Sequence, residues 1–194
     1  GFSVVKRHCM HCVDASCVSV CPVNAMRKNP VTGVVTHHAD VCIGCRYCVF
    51  ACPYNVPAYE FDDPLGQIQK CQFCDHRLKN EQLPGCVESC PTGASLFGTL
   101  EEVRAEANRR LSMRPGETYE YPIRTVGSPL THFAEVKTYQ NHLYGEEEGG
   151  GTQVLMLAGV PFDKLGLPDL PEKSAASRSE GIQHTLYKGM AAPL

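Results

Sequence analysis

The sequence predicts an α+β fold of short hairpins tied together by metal, with one surface helix and an extended C-terminal arm. Three observations lead there. All 12 cysteines of the 194-residue chain lie between Cys9 and Cys90. They form three quartets, each closing in Cys-x3-Cys-Pro. After each Cys-Pro step come turn residues and a short strand-forming stretch, so one small unit repeats along the chain.

The first quartet is Cys9, Cys12, Cys17 and Cys21, followed by Pro22. The second is Cys42, Cys45, Cys48 and Cys52, followed by Pro53, with the spacing C-x2-C-x2-C-x3-C-P. In the third, Cys71, Cys74, Cys86 and Cys90 before Pro91, the middle gap widens to eleven residues. A disulfide framework is the first alternative for an even cysteine count. Disulfide partners are usually far apart in sequence, whereas these thiols sit close enough to point one way as metal ligands. Zinc would use two separated pairs and has no need of a third cysteine followed by x3-Cys-Pro. The second spacing is the bacterial ferredoxin run, in which three thiolates converge on one [4Fe–4S] cube and the fourth reaches a neighbouring one. Proline fixes φ and removes a donor, so the Cys-Pro step carries the fourth thiol away from its own loop. Two such runs are therefore expected to exchange their fourth ligands.

Strand candidates follow the prolines at Ala25–Lys28, Ala58–Phe61 and Ser95–Thr99. Asn29-Pro30-Val31-Thr32-Gly33 reads as a turn, with Val34–Thr36 as the returning strand of a hairpin. Such units have little apolar core, and ligation supplies much of their folding free energy. Thr99 and Glu102 make a capping box for a helix whose apolar stripe is Leu100, Val103, Ala107 and Leu111. Arg109 and Arg110 suit its C-terminal end, and Pro115-Gly116 stops it. From Glu117 the sequence reads as loop, with Glu146–Gly151 as a charged, flexible turn before a strand candidate at Thr152–Leu157. Pro161, Pro168 and Pro171 then suggest an extended arm lying on a partner. The expected division is a two-cluster unit over 1–70, part of a second unit over 71–98 completed by N-terminal residues outside this sequence, and the helix and arm over 99–194.

Composition excludes several classes. Hydrophobic residues make up 43% and charged residues 20%, which is globular. A net charge of −3 offers no basic face for nucleic acid. The longest apolar run, Val154–Val160, is far short of the roughly 20 residues of a spanning helix. The start at Gly1 and the apolar turn at Met190–Leu194 point to a segment of a longer protein.

These motifs resemble the four-cluster ferredoxin-like subunits of membrane-bound respiratory oxidoreductases. Cys9-Met10-His11-Cys12-Val13-Asp14, Gly44-Cys45-Arg46-Tyr47-Cys48 and Ala51-Cys52-Pro53-Tyr54-Asn55 look like that family's second and third motifs, and Leu83-Pro84-Gly85-Cys86-Val87-Glu88 like its fourth. In the tail, Leu143-Tyr144-Gly145, Gly149–Leu155 and Ile182–Met190 are similar to the iron–sulfur subunit of hydrogenase-2 type [NiFe] uptake hydrogenases. The resemblance implies an N-terminal quartet and a C-terminal membrane anchor outside this segment. It also implies ligand sets. Cys9, Cys12 and Cys17 with Cys52 hold one cube, and Cys42, Cys45 and Cys48 with Cys21 hold a second. Cys71, Cys74 and Cys86 hold a third whose last ligand lies outside the segment, and Cys90 completes a fourth. Two cubes are thus fully ligated here, and four are expected in the intact protein.

The function implied is a non-catalytic relay of single electrons from the small and large subunits of a hydrogenase to a quinone-reactive integral membrane subunit. It would work on the periplasmic side of the bacterial inner membrane, touching the membrane through its C-terminal end. The runner-up is the same module serving a molybdenum enzyme such as formate dehydrogenase; a diffusible ferredoxin or a structural metal scaffold is the other class. No catalytic motif competes. Lys6, Arg7, Arg27, Lys28, Arg46, Lys70 and Arg77 are cations near the motifs that would raise cluster potentials by offsetting negative charge, with ordinary surface roles expected for most. His11 and His76 are expected to have structural or surface roles, since thiols suffice as ligands, and His184 and Tyr187 to sit just ahead of the anchor.

Overall fold

One backbone pattern occurs three times. In each C-x2-C loop the residue before the second cysteine is left-handed: His11 (φ 48°), Gly44 (φ 67°) and Phe73 (φ 56°). The third cysteine of each quartet then sits second in a short helix, Cys17 in α1 (Ser16–Ser19), Cys48 in α2 (Tyr47–Ala51) and Cys86 in α4 (Gly85–Glu88). Three residues past the fourth cysteine the chain is left-handed again, at Asn24, Asn55 and Gly93. Asparagine and glycine are the residues that adopt this conformation at least cost. Proline at the second place of the turn pre-sets it, and the Asn24 and Asn55 N–H groups close it onto the carbonyls of Cys21 and Cys52.

The computed structural model describes residues 5–63, 66–177 and 180. After the first turn, β1 (Met26–Lys28) pairs antiparallel with β2 (Val35–His37), Met26 opposite His37. The Asn29 side chain holds the connecting turn by accepting from the N–H groups of Val31 and Thr32. After the second, β3 (Ala58–Tyr59) pairs antiparallel with β4 (Ile68–Gln69). The eleven-residue gap of the third quartet carries an extra helix, α3 (Asp75–Leu78), clipped to α4 by an Arg77–Glu88 ion pair. β5 (Leu96–Phe97) follows, and then α5 (Leu100–Leu111), whose capping box is complete: Thr99 Oγ1 accepts from Glu102 N–H at 3.3 Å and the Glu102 carboxylate accepts from Thr99 N–H at 2.8 Å.

Beyond α5 the chain is more ordered than its sequence suggests. β6 (Thr118–Pro122) pairs antiparallel with β8 (Thr131–Glu135), and between them β7 (Arg124–Thr125) runs parallel to β5. The loop reading overlooks the alternation in Thr118-Tyr119-Glu120-Tyr121. Both tyrosines are fixed by α5, with Arg109 stacked over Tyr119 at 4.8 Å and Arg110 over Tyr121 at 4.9 Å. Gly93 shows how tightly this hairpin meets the third repeat, because a Cβ there would lie 2.1 Å from the Pro122 carbonyl oxygen.

The expected strand at Thr152–Leu157 is replaced by two isolated bridges, Cys12 with Thr152 and Tyr144 with Met156. Its residues pair with two different segments in turn, so no ladder can run. The turn at Glu146–Gly151 is solvated only in part, with Glu146 and Glu147 exposed. Glu148 is buried, its carboxylate accepting from Gly145 N–H at 2.6 Å and paired with His142. Among the described residues the arm does not extend away. It folds back on its own first quartet, where Tyr144 and Leu167 form a core with Met10 and Tyr54. Residues 181–194, with the segment Ile182–Met190, His184 and Tyr187, lie outside the described residues.

Candidate metal centres

The thiols of the first two quartets fall into two groups. Burial pushes Cys12 and Cys17 up to about 12, and in both cases the neighbouring thiols of Cys9 and Cys52 add to the shift. Cys9 is also raised by burial, against the pull of the Lys70 ammonium, with Cys71 and Cys52 as further neighbours. Cys52 therefore stands with Cys9, Cys12 and Cys17. Cys48 is raised by burial and by Cys45, Cys21 and Cys42. Cys21 therefore stands with the second quartet, and its fourth member does not.

Cys21, Cys42, Cys45 and Cys48 line one small pocket with Met26 and Ile68 that is partly open to solvent. Thiols pushed up as far as Cys12 and Cys17 hold their protons at neutral pH, and iron must displace those protons to bind. The cradle is ready for a charged sulfur in one respect. The Cys21 Sγ accepts from Ala25 N–H at 3.1 Å and Met26 N–H at 3.5 Å, and the Cys90 Sγ from Ser95 N–H at 3.4 Å, at matching places after the Cys-Pro turn. For Cys90, burial works upward, but backbone hydrogen bonds at Thr92 and Ser95 bring the thiol below its ordinary value.

Thiolates around one zinc each lie about 2.3 Å from it, and among the described residues no three His, Cys, Asp or Glu side chains are disposed to hold one ion. A cube takes one thiolate on each of four separate irons, so its four ligands stand further apart than those around a single ion. The third quartet is less gathered. Cys86 is exposed, Cys71 lies on the Cys9 side, and Cys90 sits apart in its own turn.

Histidines do not add to the ligand groups. His11 is fully buried, its Nδ1 accepts from Val35 N–H at 2.9 Å, and its ring meets Phe73 edge-on at 4.7 Å. Burial, reinforced by the Lys70 and His8 charges, lowers it to about 3, so the ring is neutral. The His76 backbone carbonyl accepts from the Asn80 side chain at 2.8 Å within the α3 turn.

A family model described as a 4Fe-4S dicluster domain matches residues 2–100. This chain therefore belongs to that family. The dicluster protein is 56% identical over its whole length to the hydrogenase-2 operon protein HybA of Escherichia coli O157:H7, and it spans 60% of that protein's length. It is 40% identical to protein NrfC of Escherichia coli K12 over 73% of its own sequence and 59% of the relative. It is 43% identical to the B subunit of the anaerobic dimethyl sulfoxide reductase of Haemophilus influenzae over 55% of its own sequence and 51% of the relative. With its ferredoxin-like domain of short helices and antiparallel hairpins, it is an electron-transfer iron–sulfur module that holds [4Fe–4S] clusters. Among the described residues no helix is long and apolar enough to cross a membrane.

The tail is the part of the site that the cysteine pattern did not reveal. Val13 N–H donates to Gly151 O at 2.9 Å, and Gln153 N–H to Met10 O at 3.1 Å, which lays residues 151–153 along the first loop. Tyr54, two residues past Cys52, donates its hydroxyl to Glu148 O at 3.1 Å. Val154, Met156 and Phe162 pack on the same core as Cys12 and Cys52.

Proposed function

We propose that this chain relays single electrons between a [NiFe] hydrogenase and a quinone-reactive subunit in the membrane, on the periplasmic side. Bound in a row, [4Fe–4S] clusters supply one-electron acceptors and donors whose potentials follow local charge, hydrogen bonds to sulfur and exposure. In this reading Cys9, Cys12, Cys17 and Cys52 hold one cluster, and Cys42, Cys45, Cys48 and Cys21 a second. Cys71, Cys74 and Cys86 contribute three ligands to a third, and Cys90 one ligand to a fourth.

The observation that carries the ligand sets is the exchange of fourth thiols, Cys52 standing with the first loop and Cys21 with the second. The hydrogenase partner is supported by the likeness to HybA, which runs through the tail as well as the cysteines. The likeness to the sulfoxide reductase subunit covers only 55% of the sequence and supports a second reading, the same module serving a molybdenum enzyme such as formate dehydrogenase.

What the residues do is hold, cover and balance charge. The repeated left-handed loops aim thiols inward, the Cys-Pro turns send the fourth thiol to the neighbouring site, and the tail keeps water from the first. A Cys45→Ser variant of the full protein in its complex tests the relay. Hydrogen oxidation with an artificial dye that takes electrons directly from the hydrogenase should persist, while hydrogen-dependent quinone reduction falls steeply. Unimpaired quinone reduction in a correctly assembled variant overturns the relay, and the identity of the copurifying catalytic subunit separates the two readings.

A further inference from the structure

The first and third cysteine loops meet through their left-handed residues, the His11 ring standing edge-on to Phe73 at 4.7 Å. This contact brings Cys9 and Cys71 within electrostatic reach of each other. One cation lies in the seam. The Lys70 Nζ is 4.0 Å from Cys9 Sγ, donates to Cys71 O at 2.8 Å and also donates to Val35 O. Its charge is felt by Cys17 as well as Cys9. Among the described residues no carboxylate forms a salt bridge with it.

The other cations near the motifs are differently engaged. Arg77 is paired with Glu88, and Lys6 donates to the Ser95 hydroxyl. Arg27 donates to Asn24 O, and Arg46 is stacked over Tyr59 and Phe61. Lys28 is near Cys12 but shares its charge with Asp14. The Lys70 ammonium is held by two carbonyls and, among the described residues, has no carboxylate partner to offset its charge. Placed beside a cluster ligand, that charge favours the more negative, reduced form.

We propose that Lys70 is a positioning charge that sets the reduction potential of the cluster on Cys9, Cys12, Cys17 and Cys52 above that of the cluster on Cys42, Cys45, Cys48 and Cys21. The inference rests on the ligand sets proposed above. It assigns the first site the role of an electron well beside the Cys71 loop, with the charge at the seam of the two loops serving both. The second site has its own cation, Arg46, which lines the pocket but is exposed, so that water screens its charge, and stacks over two aromatic rings.

Redox titration followed by electron paramagnetic resonance, on the full iron-loaded protein, tests this. Lys70→Gln removes the charge and retains a donor, Lys70→Met removes both, and Lys70→Arg keeps the charge. With iron content and the resonance of every cluster preserved, the two neutral variants should lower the reduction equilibrium of the first site by about tenfold, about 59 mV for one electron. The second site should move much less, and Lys70→Arg should stay near the native value. Unchanged potentials in Lys70→Gln and Lys70→Met overturn the proposal, as does an equal shift at both sites. Iron loss from the first site in both neutral variants, with Lys70→Arg intact, also overturns it and makes the residue one of assembly. The ligand sets are checked separately: if Cys9→Ser leaves the resonance assigned to the first site untouched, the assignment has failed and not the charge effect.

Discussion

Cys9–Cys12 and Cys42–Cys45 turn through the same left-handed position, and Cys17 and Cys48 each sit second in a short helix, yet their surroundings differ. The first site is roofed by the tail, which contributes Tyr144, Leu167 and, partly buried, Val154 and Phe162 to the core around Cys12 and Cys52. At the second, Met26, Cys48 and Ile68 make a smaller core, and the neighbouring Ile43, Tyr47 and Phe50 are 64%, 59% and 85% exposed. Local sequence builds the ligand loops, and distant sequence decides how much water reaches them. Since exposure and nearby charge both set a cluster's potential, two nearly identical loops can hold centres of different potential.

The largest expected effect breaks the pairing of loops itself. Cys52→Ser should abolish or alter the cluster resonance of the first site and leave the second, although Cys52 belongs to the second quartet in sequence. Cys21→Ser should do the reverse. Electron paramagnetic resonance of the two single variants reads this directly, and damage by Cys52→Ser to the site of Cys42, Cys45 and Cys48 would refute the exchange.

A second test sharpens the contrast in cover. When iron is drawn out by an oxidant and a chelator, the second site should empty faster than the first, by about tenfold if reaching the first site requires about 1.4 kcal/mol of local opening. Tyr144→Ala should narrow that difference. The ring is 2% exposed, stacks on Phe162 at 4.9 Å and donates its hydroxyl to Pro168 O at 2.7 Å, so truncation should cost about 3 kcal/mol of tail stability. Chelation kinetics resolved by site would expose the error if Tyr144→Ala speeds both sites equally.

The smallest effect lies away from both sites. Thr99→Ala removes the N-cap of α5, and thermal unfolding should register a loss of about 1 kcal/mol. Neither site's rate of iron release should change much, because α5 is tied to the β6–β8 hairpin through Arg109 and Arg110, meets the tail through one half-exposed Arg104–Glu146 ion pair, and lies outside both thiol groups. A large change in either rate would mean that the hairpin and the tail open together.

Sequence reasoning reached the hairpin of β1 and β2 and the capped helix because each depends on residues a few positions apart. Asn29 in its turn, and Thr99 with Glu102, act within their own segments. It misread the region after Glu117 because the alternation in Thr118–Tyr121 is short and its aromatic rings gain their place only against arginines of α5. It also read Glu148 as part of a charged, flexible turn. A buried carboxylate is stable only when satisfied, and here the Gly145 N–H and His142 come from the tail's own fold.

The sequence by itself determined which side chains can hold metal and how each loop turns, since spacing, proline and left-handed asparagine or glycine act over three or four residues. Only the tertiary structure decided that the tail returns over Cys12 and Cys52, that the His11 and Phe73 loops meet, and that Lys70 lies between them. Those relations join residues as far apart as Met10 and Gln153. They arise from burial of apolar surface and satisfaction of polar groups across the whole molecule, which no local pattern records.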